Sequence, residues 1–419
     1  MDNGRIQFAF LNVGHFLDHF FMLIFATAAA LTLTAEWQLS YAALIPYATP
    51  GFLAFGLFAI PAGWLADRWS RDGMMVVFFV GIGASSVLCG MADSPLQIAV
   101  GLTLIGLFAA VYHPVGLALV VQGRTQTGVP LAINGVFGNM GVASAALLTG
   151  FLIDTWGWRS AFVVPGVAAV VIGALYQLFI STARRTDGGG VARAASADTA
   201  QPPASPRRTL LRIFAVILFT TVTGSMIFQS TTFTLPEVFD ERLADLAGTA
   251  TLVGWYAFVV FSLAALAQLV VGYLVDHYSV RTVFALVALL QATFFAAMTT
   301  LTGIAALFVA TAFMLVVFGQ IPINDVLVGR IARSEWRSRA YALRSVVGFS
   351  VTAATLPLIA WVQGTWGFDA LFGVLAVSAA LTLAAVLCLP GSGRIVQGRS
   401  ALTENPSPLR RSHSGTSEV

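Results

Sequence analysis

Lysine is absent from this chain of 419 residues, so all 22 basic residues are arginines. Charged residues of either sign make up only 10% of the sequence, where a soluble domain carries roughly 25%. Cysteine is scarce too: Cys89 and Cys388 lie inside separate apolar runs, which excludes a disulfide scaffold and suits buried thiols. No nucleotide-binding glycine loop, nucleophile triad or Cys/His zinc spacing occurs. ATP-driven transport and membrane-embedded hydrolysis therefore lack their chemistry, and neither an enzyme nor a cofactor is expected.

Apolar residues, by contrast, make up 58% of the chain, and the mean hydropathy is +0.84. No soluble core could hide that much apolar surface beneath a polar skin. The expected fold is an all-α integral membrane protein with about a dozen spanning helices. The first apolar run follows seven fairly polar residues and carries no small-residue cleavage site, so it is expected to be a retained span. The net charge of +3 does not point to nucleic acid, because the arginines sit between apolar runs rather than in a patch.

Stretches of about 20 apolar residues predict twelve transmembrane helices. They cover residues 8–33, 43–65, 74–91, 96–121, 129–153 and 160–181, then 210–234, 249–275, 280–301, 304–329, 339–363 and 370–389. With the N-terminus inside, only Arg159 and Arg242 of the 22 arginines fall outside. Acids show the opposite bias: Glu36, Asp93, Asp154, Glu237, Asp240, Glu241, Asp245 and Asp369 all map outside. The positive-inside rule then puts both termini in the cytoplasm of a multi-pass protein of the cytoplasmic (inner) membrane. The expected organisation is a six-helix bundle over 1–181, a flexible cytoplasmic linker over 182–209, a second bundle over 210–389 and a disordered tail over 390–419.

Two sequence matches relate the halves. Gly63-Trp64-Leu65-Ala66-Asp67-Arg68 pairs with Gly272-Tyr273-Leu274-Val275-Asp276-His277 at an offset of 209 residues. Asp154-Thr155-Trp156-Gly157-Trp158-Arg159 pairs with Gly364-Thr365-Trp366-Gly367-Phe368-Asp369 at an offset of 210. Two matches at nearly one offset, both at loops, imply two pseudo-symmetric six-helix bundles, and a carrier built this way holds its site near the midplane between them.

At these residues the chain resembles the major facilitator superfamily. The family's loop motif, Gly-x-Leu-Ala-Asp-Arg-x-Gly-Arg-Arg, is matched by Gly63, Leu65, Ala66, Asp67, Arg68 and Arg71, while Ser70 and Asp72 depart from it. The resemblance implies a conformational latch in which Asp67 caps the eleventh helix near Arg344, with Asp276 and Arg281 as the degenerate second copy. Within the superfamily, Gly14-His15-Phe16-Leu17-Asp18, Gly106–Pro114 and Gly138-Asn139-Met140-Gly141 look most like the fosmidomycin-resistance group. The arginine that drug/proton antiporters carry in the fourth span is Leu102 here, and 141–150 lacks the proline of their fifth-span motif. Proton coupling must therefore use other groups.

Ionisable residues at membrane depth are costly and are functional candidates by default. His15, Asp18 and His19 share one helix face by their spacing of three and four. At about 1.5 Å per residue, His15 lies roughly 10 Å in from the cytoplasmic side and His113 roughly 25 Å down from the periplasmic side, so both fall in the cytoplasmic third of the bilayer. A carboxylate beside imidazoles suits proton coupling. The rival reading is packing, with each imidazole bonded to a helix carbonyl. His15, His19 and Asp18 also have metal-ligand types, but no metal site is expected. Asp325 is a further coupling candidate, paired with Arg330 or Arg344. Asn12, Asn134, Asn139, Gln229, Gln320 and Asn324 are the polar candidates for a substrate cavity. The threonine-rich seventh span either lines an aqueous path or bonds back to its own carbonyls.

The expected function is a monomeric secondary transporter that exchanges a small molecule by alternating access, with proton-coupled efflux preferred. An uptake carrier of the same fold is the alternative. A non-transporting receptor or assembly factor comes third, disfavoured by the charges kept at membrane depth.

Overall fold

The computed structural model describes residues 3–122, 124, 128–186, 207–331 and 334–389. The described residues are helical apart from short turns. Eleven of their helices are long and apolar enough to cross a membrane. In the first half these are α1 (Asn3–Trp37), α2 (Tyr41–Arg68), α3 (Arg71–Gly90), α4 (Pro95–Val121), α5 (Gly128–Trp156) and α6 (Trp158–Thr186). In the second they are α7 (Arg207–Arg242), α8 (Ala250–His277), α9 (Val280–Met298), α10 (Gly303–Ile331) and the long element Ser334–Leu387. That last element turns at Gly367, where φ is 78° and ψ is −176°, and so supplies two spans, α11 (334–366) and α12 (368–387). Helices are the natural outcome, since a helix satisfies its own backbone where no water is available. Their starts are capped locally: Ser70, Ser94 and Thr249 accept the N–H of Gly73, Gln97 and Leu252.

The internal repeat is visible in the backbone. Gly157 (φ 82°) turns α5 into α6, and Gly367 (φ 78°) turns α11 into α12. Both are left-handed positions that suit glycine. Within the halves α2 packs on α4 as α8 packs on α10, and α3 packs on α6 as α9 packs on the α11–α12 element. Between the halves α5 meets α8, and α2 meets α11.

Several boundaries differ from the sequence expectation. Run length ends the seventh span at 234, but α7 continues through Pro236 to Arg242, so Glu237, Asp240 and Glu241 lie on a helix rather than in a loop. The expected linker is helical as far as Thr186 and again from Arg207; residues 187–206 and the tail 390–419 lie outside the described residues.

The two ends of the molecule differ in the contacts between the halves. At the acidic end, a side chain at Gly254 of α8 would sit 2.7 Å from the Ala146 carbonyl of α5, and one at Gly364 would sit 2.8 Å from Ala42 of α2. Asp154 of α5 accepts from the Thr251 N–H at 2.7 Å and its hydroxyl at 2.5 Å, so one half caps the N-terminus of a helix in the other. Toward the arginine-rich end, a Cβ at Gly135 of α5 or at Gly272 of α8 would meet nothing within 4 Å among the described residues. Among the described residues, the hydrogen bonds between the halves gather at the acidic end.

The two arginines at the acidic end are both tied down. Arg159 donates to the Ala92 carbonyl at the end of α3 (2.6 Å) and pairs with Asp93 (2.9 Å). Arg242 donates to the Met298 carbonyl at the end of α9 (2.5 Å) and to the Leu301 carbonyl (3.0 Å), and pairs with Asp369 at 2.5 Å. A guanidinium on C-terminal carbonyls satisfies acceptors that a helix leaves open.

Close approach of α1 and α5 depends on Gly141, where a Cβ would collide with the Phe16 carbonyl. Gly141→Val is expected to abolish the monodisperse peak in size-exclusion chromatography, whereas Gly135→Val, facing open space, is expected to keep it.

Candidate functional site

The site begins with two helices. The helical period of α1 brings His15, Asp18 and His19 to one face, and α4 brings His113. Near His113 the α-helical ladder of α4 gives way to a π turn over Tyr112–Gly116, which contains Pro114. Proline has no N–H to donate, and such turns often re-aim side chains at functional positions. Gly63 of α2 packs under it, with its side-chain position 3.2 Å from Pro114 Cβ.

All four candidates of the first half converge. The Asp18 side chain is fully buried, and its Oδ2 lies 3.3 Å from His113 Nε2. Neither carboxylate oxygen makes an aligned hydrogen bond. The His15 ring is 5.0 Å from that of His19 and 5.4 Å from that of His113, and the His19 and His113 rings are 5.5 Å apart. One ring nitrogen from each of the three lies within 4.8 Å of the other two. The cluster is not sealed: the His113 side chain is 28% exposed and faces Phe349 of α11 at 6.4 Å between ring centres. It therefore lies where the first half meets the second.

Around it a neutral network fixes the rings. The Asn134 carbonyl of α5 can only accept, so His15 Nδ1 donates to it at 2.8 Å. Tyr112 stacks on the same imidazole, with centroids 4.8 Å apart. Its hydroxyl donates to the Leu11 carbonyl at 2.7 Å, and Asn134 Nδ2 donates to that hydroxyl at 2.9 Å and to Asn12 Oδ1 at 3.0 Å. Asn12 and Asn134, expected to line a substrate cavity, are thus engaged with each other in joining α1, α4 and α5. Asn139 is half-buried further along α5.

The second half offers neutral polar groups. Gln291 Nε2 of α9 donates to Gln320 Oε1 of α10 at 2.9 Å, and Thr220 of α7 donates to Asn324 Oδ1 at 3.3 Å. Gln229 is buried with an unpartnered Nε2, as is Gln320. The α7 threonines follow the second of their two expected readings, since Thr221, Thr231, Thr232 and Thr234 each bond back to a carbonyl one turn earlier. The side chain of Asp325 lies outside the described residues, as does that of Arg330.

At the arginine-rich corner Asp67 pairs with Arg71 at 2.8 Å, and their side chains are 66% and 40% exposed. Arg68 lies over Trp64 at 4.3 Å. In the second copy Arg281 donates to the Leu387 carbonyl at the end of α12 at 2.8 Å, while Asp276 is exposed. Arg344 is half-buried in α11. Sequence reasoning missed Asp72, whose carboxylate accepts from Gln7 of α1 and Tyr176 of α6, both at 2.9 Å. It also missed Gln291 and the bonding role of Tyr112, for which a buried polar residue in an apolar run was the available signal.

Two six-helix halves with titratable groups at their junction make the fold of a solved class of membrane transporters. A crystal structure of a bacterial homologue of the human lysosomal transporter Spinster, inward-facing and unoccupied, matches with a TM-score of 0.70 at 14% identity over 98% of this chain and 100% of that one. A D-xylose–proton symporter matches with a TM-score of 0.70 at 14% identity, over 93% of this chain and 98% of that one. The model of the Major Facilitator Superfamily matches residues 11–244 and 238–414, and the chain belongs to that family. Among curated relatives, a probable actinorhodin transporter of Streptomyces coelicolor is 34% identical over 145 residues, 32% of this chain and 25% of the relative. A gallate transporter of Pseudomonas putida is 28% identical over 145 residues, 34% of this chain and 32% of the relative. The chain thus spans about a quarter to a third of the length of these relatives.

Tyr112→Phe removes two hydrogen bonds from a buried three-helix junction, at an expected cost of about 2 kcal/mol. A fall of a few degrees in the thermal midpoint in detergent would show it, with the oligomeric state unchanged.

Proposed function

We infer that the protein is a secondary active transporter that carries a small molecule across the cytoplasmic membrane by alternating access, with protons as the coupling ion. One observation carries this reading: the buried Asp18 lies 3.3 Å from His113 at the junction of two halves whose hydrogen bonds to each other, among the described residues, lie at the acidic end. A group that exchanges protons there gains and loses access to each side as the halves rock. Membership of the family and the transporters among the relatives support it. The arginine bias assigns the arginine-rich end and both termini to the cytoplasm. The preferred direction is efflux, supported by the motifs in α1 and α4 that resemble the fosmidomycin-resistance group and by a relative that is a tetracenomycin C resistance and export protein of Streptomyces glaucescens. We take the working unit to be a monomer in the lipid bilayer.

Asp18→Asn keeps the shape of the side chain and removes its proton site. In proteoliposomes with an imposed pH gradient, gradient-driven accumulation is expected to vanish while substrate exchange at equal pH persists. Accumulation at the wild-type rate and pH profile would sink the coupling role.

Two carboxylates are assigned to opposite conformations. Asp154 holds the acidic end shut through the N-terminus of α8, and Asp67 is assigned to latch the arginine-rich end on α11 when that end closes. Spin-label distances across both mouths check this. Asp154→Ala is expected to raise the outward-open fraction, and Asp67→Asn to lower it.

A further inference from the structure

The chain contains five histidines, and three of them meet at one point in the membrane. One titratable group is enough for a proton carrier, and the Asp18–His113 pair already supplies two. The convergence of His15 and His19 on the same spot is left without a purpose by that reading. The details around them have a further chemical meaning. Because His15 Nδ1 donates to the Asn134 carbonyl, the lone pair of the neutral ring is on Nε2. This is how metal-binding histidines are usually oriented, with the second ring nitrogen donating to a carbonyl or carboxylate. The ring is held in place by Tyr112 on one side and by α5 on the other, where Gly138 leaves it room: a Cβ there would lie 2.7 Å from His15 Nε2. Beside the imidazoles lies Asp18, fully buried, with two oxygens that accept no aligned hydrogen bond. A sealed carboxylate so poorly satisfied is costly, and a cation at the cluster offsets that cost.

We propose that His15, His19 and His113, with Asp18 beside them, form a binding site for a divalent first-row transition-metal ion, and that such an ion is the cargo of this carrier. The inference rests on the transport reading above and names its substrate class. Three imidazoles and one carboxylate suit zinc, cobalt or nickel rather than magnesium or calcium, which prefer oxygen ligands. Ring nitrogens within 4.8 Å of one another need only small side-chain rotations to reach the roughly 3.4 Å separation that tetrahedral ligation at about 2.1 Å demands. The partly exposed His113 edge, facing α11, gives the ion a way in. Imidazole and carboxylate ligate a metal only when deprotonated, so each ion bound releases the protons that these groups carry, and each ion released lets them return. Metal and proton thus compete for the same atoms. In a two-sided carrier that competition is an exchange of one for the other, with no redox step and no bond broken beyond N–H, O–H and metal–ligand bonds.

Cobalt is the probe, because its visible bands report the ligands. Untagged full-length protein in detergent is titrated with Co2+ and then with Zn2+. One Co2+ per chain is expected, with intense bands of tetrahedral nitrogen and oxygen ligation that Zn2+ abolishes. His19→Gln and His113→Gln should each weaken binding about tenfold or more. His277→Gln, on an exposed residue at the arginine-rich end, should leave binding unchanged, as should His413→Gln in the tail. If His113→Gln does not fold, His19→Gln decides. Binding that survives both cluster variants, or no binding at micromolar Co2+, overturns the site. The second readout is Zn2+ movement into liposomes against an outward proton flux. Co2+ bound by the cluster with no Zn2+ movement overturns the cargo assignment. Failure to bind metal, alongside Asp18-dependent, gradient-driven transport of an organic compound, overturns the metal proposal and leaves the proton reading standing.

Discussion

A carboxylate sealed from solvent among apolar helices is the constraint around which this molecule is arranged. Among the described residues no arginine meets Asp18, and the group that does is an imidazole at 3.3 Å. Unlike a guanidinium, an imidazole changes its charge within the physiological range. Asp18 therefore has no permanently charged partner buried beside it in the bilayer among the described residues. The rest follows from keeping that imidazole in reach: the π turn over Tyr112–Gly116 in α4, the glycine of α2 beneath Pro114, and the Tyr112–Asn134–Asn12 network that joins α1, α4 and α5.

The halves share one backbone plan and differ in chemistry. The first concentrates its titratable groups on α1 and α4. The second offers amides and hydroxyls on α7, α9 and α10: Gln291, Gln320, Asn324 and Thr220. Neutral dipoles in a bundle core set geometry and bond selectively but do not carry charge across. Among the described residues the two halves thus bring different polar groups to the bundle cores, and His113 meets the second half at Phe349.

Much of this was legible in the sequence because the bilayer simplifies it. Twelve spans follow from run length, the repeat from two loop matches, and the meeting of His15, Asp18 and His113 from helical period and depth. His19 could be placed on the same face but not aimed. What remained illegible has a common cause: in a membrane bundle lipid-facing and protein-facing surfaces are both apolar, so periodicity does not say which face packs on which helix. Hence Asn12 and Asn134 read as cavity candidates from sequence, while in the structure they link helices. Run length ends the seventh span at 234, yet the helix runs on through Pro236 to Arg242, since a helix can absorb a proline where its neighbours satisfy the freed carbonyls. The three-histidine convergence depended on the π turn, which local sequence does not specify.

The two arginine clasps at the acidic end carry a mechanical implication. Arg159 binds the terminal carbonyls of α3, and Arg242 those of α9, each within its own half. They hold opposite partners in the repeat, because Asp369 occupies in the second half the place of Arg159 in the first. Neither clasp crosses the seam between the halves. Each bundle is thus fastened at this rim within itself. If the halves rock as proposed, these charge pairs stay intact, and what gives way is the thinner stitching of the seam: the Asp154 cap on α8, the Tyr41 hydroxyl on the Phe233 carbonyl, and glycine-lined apolar contact.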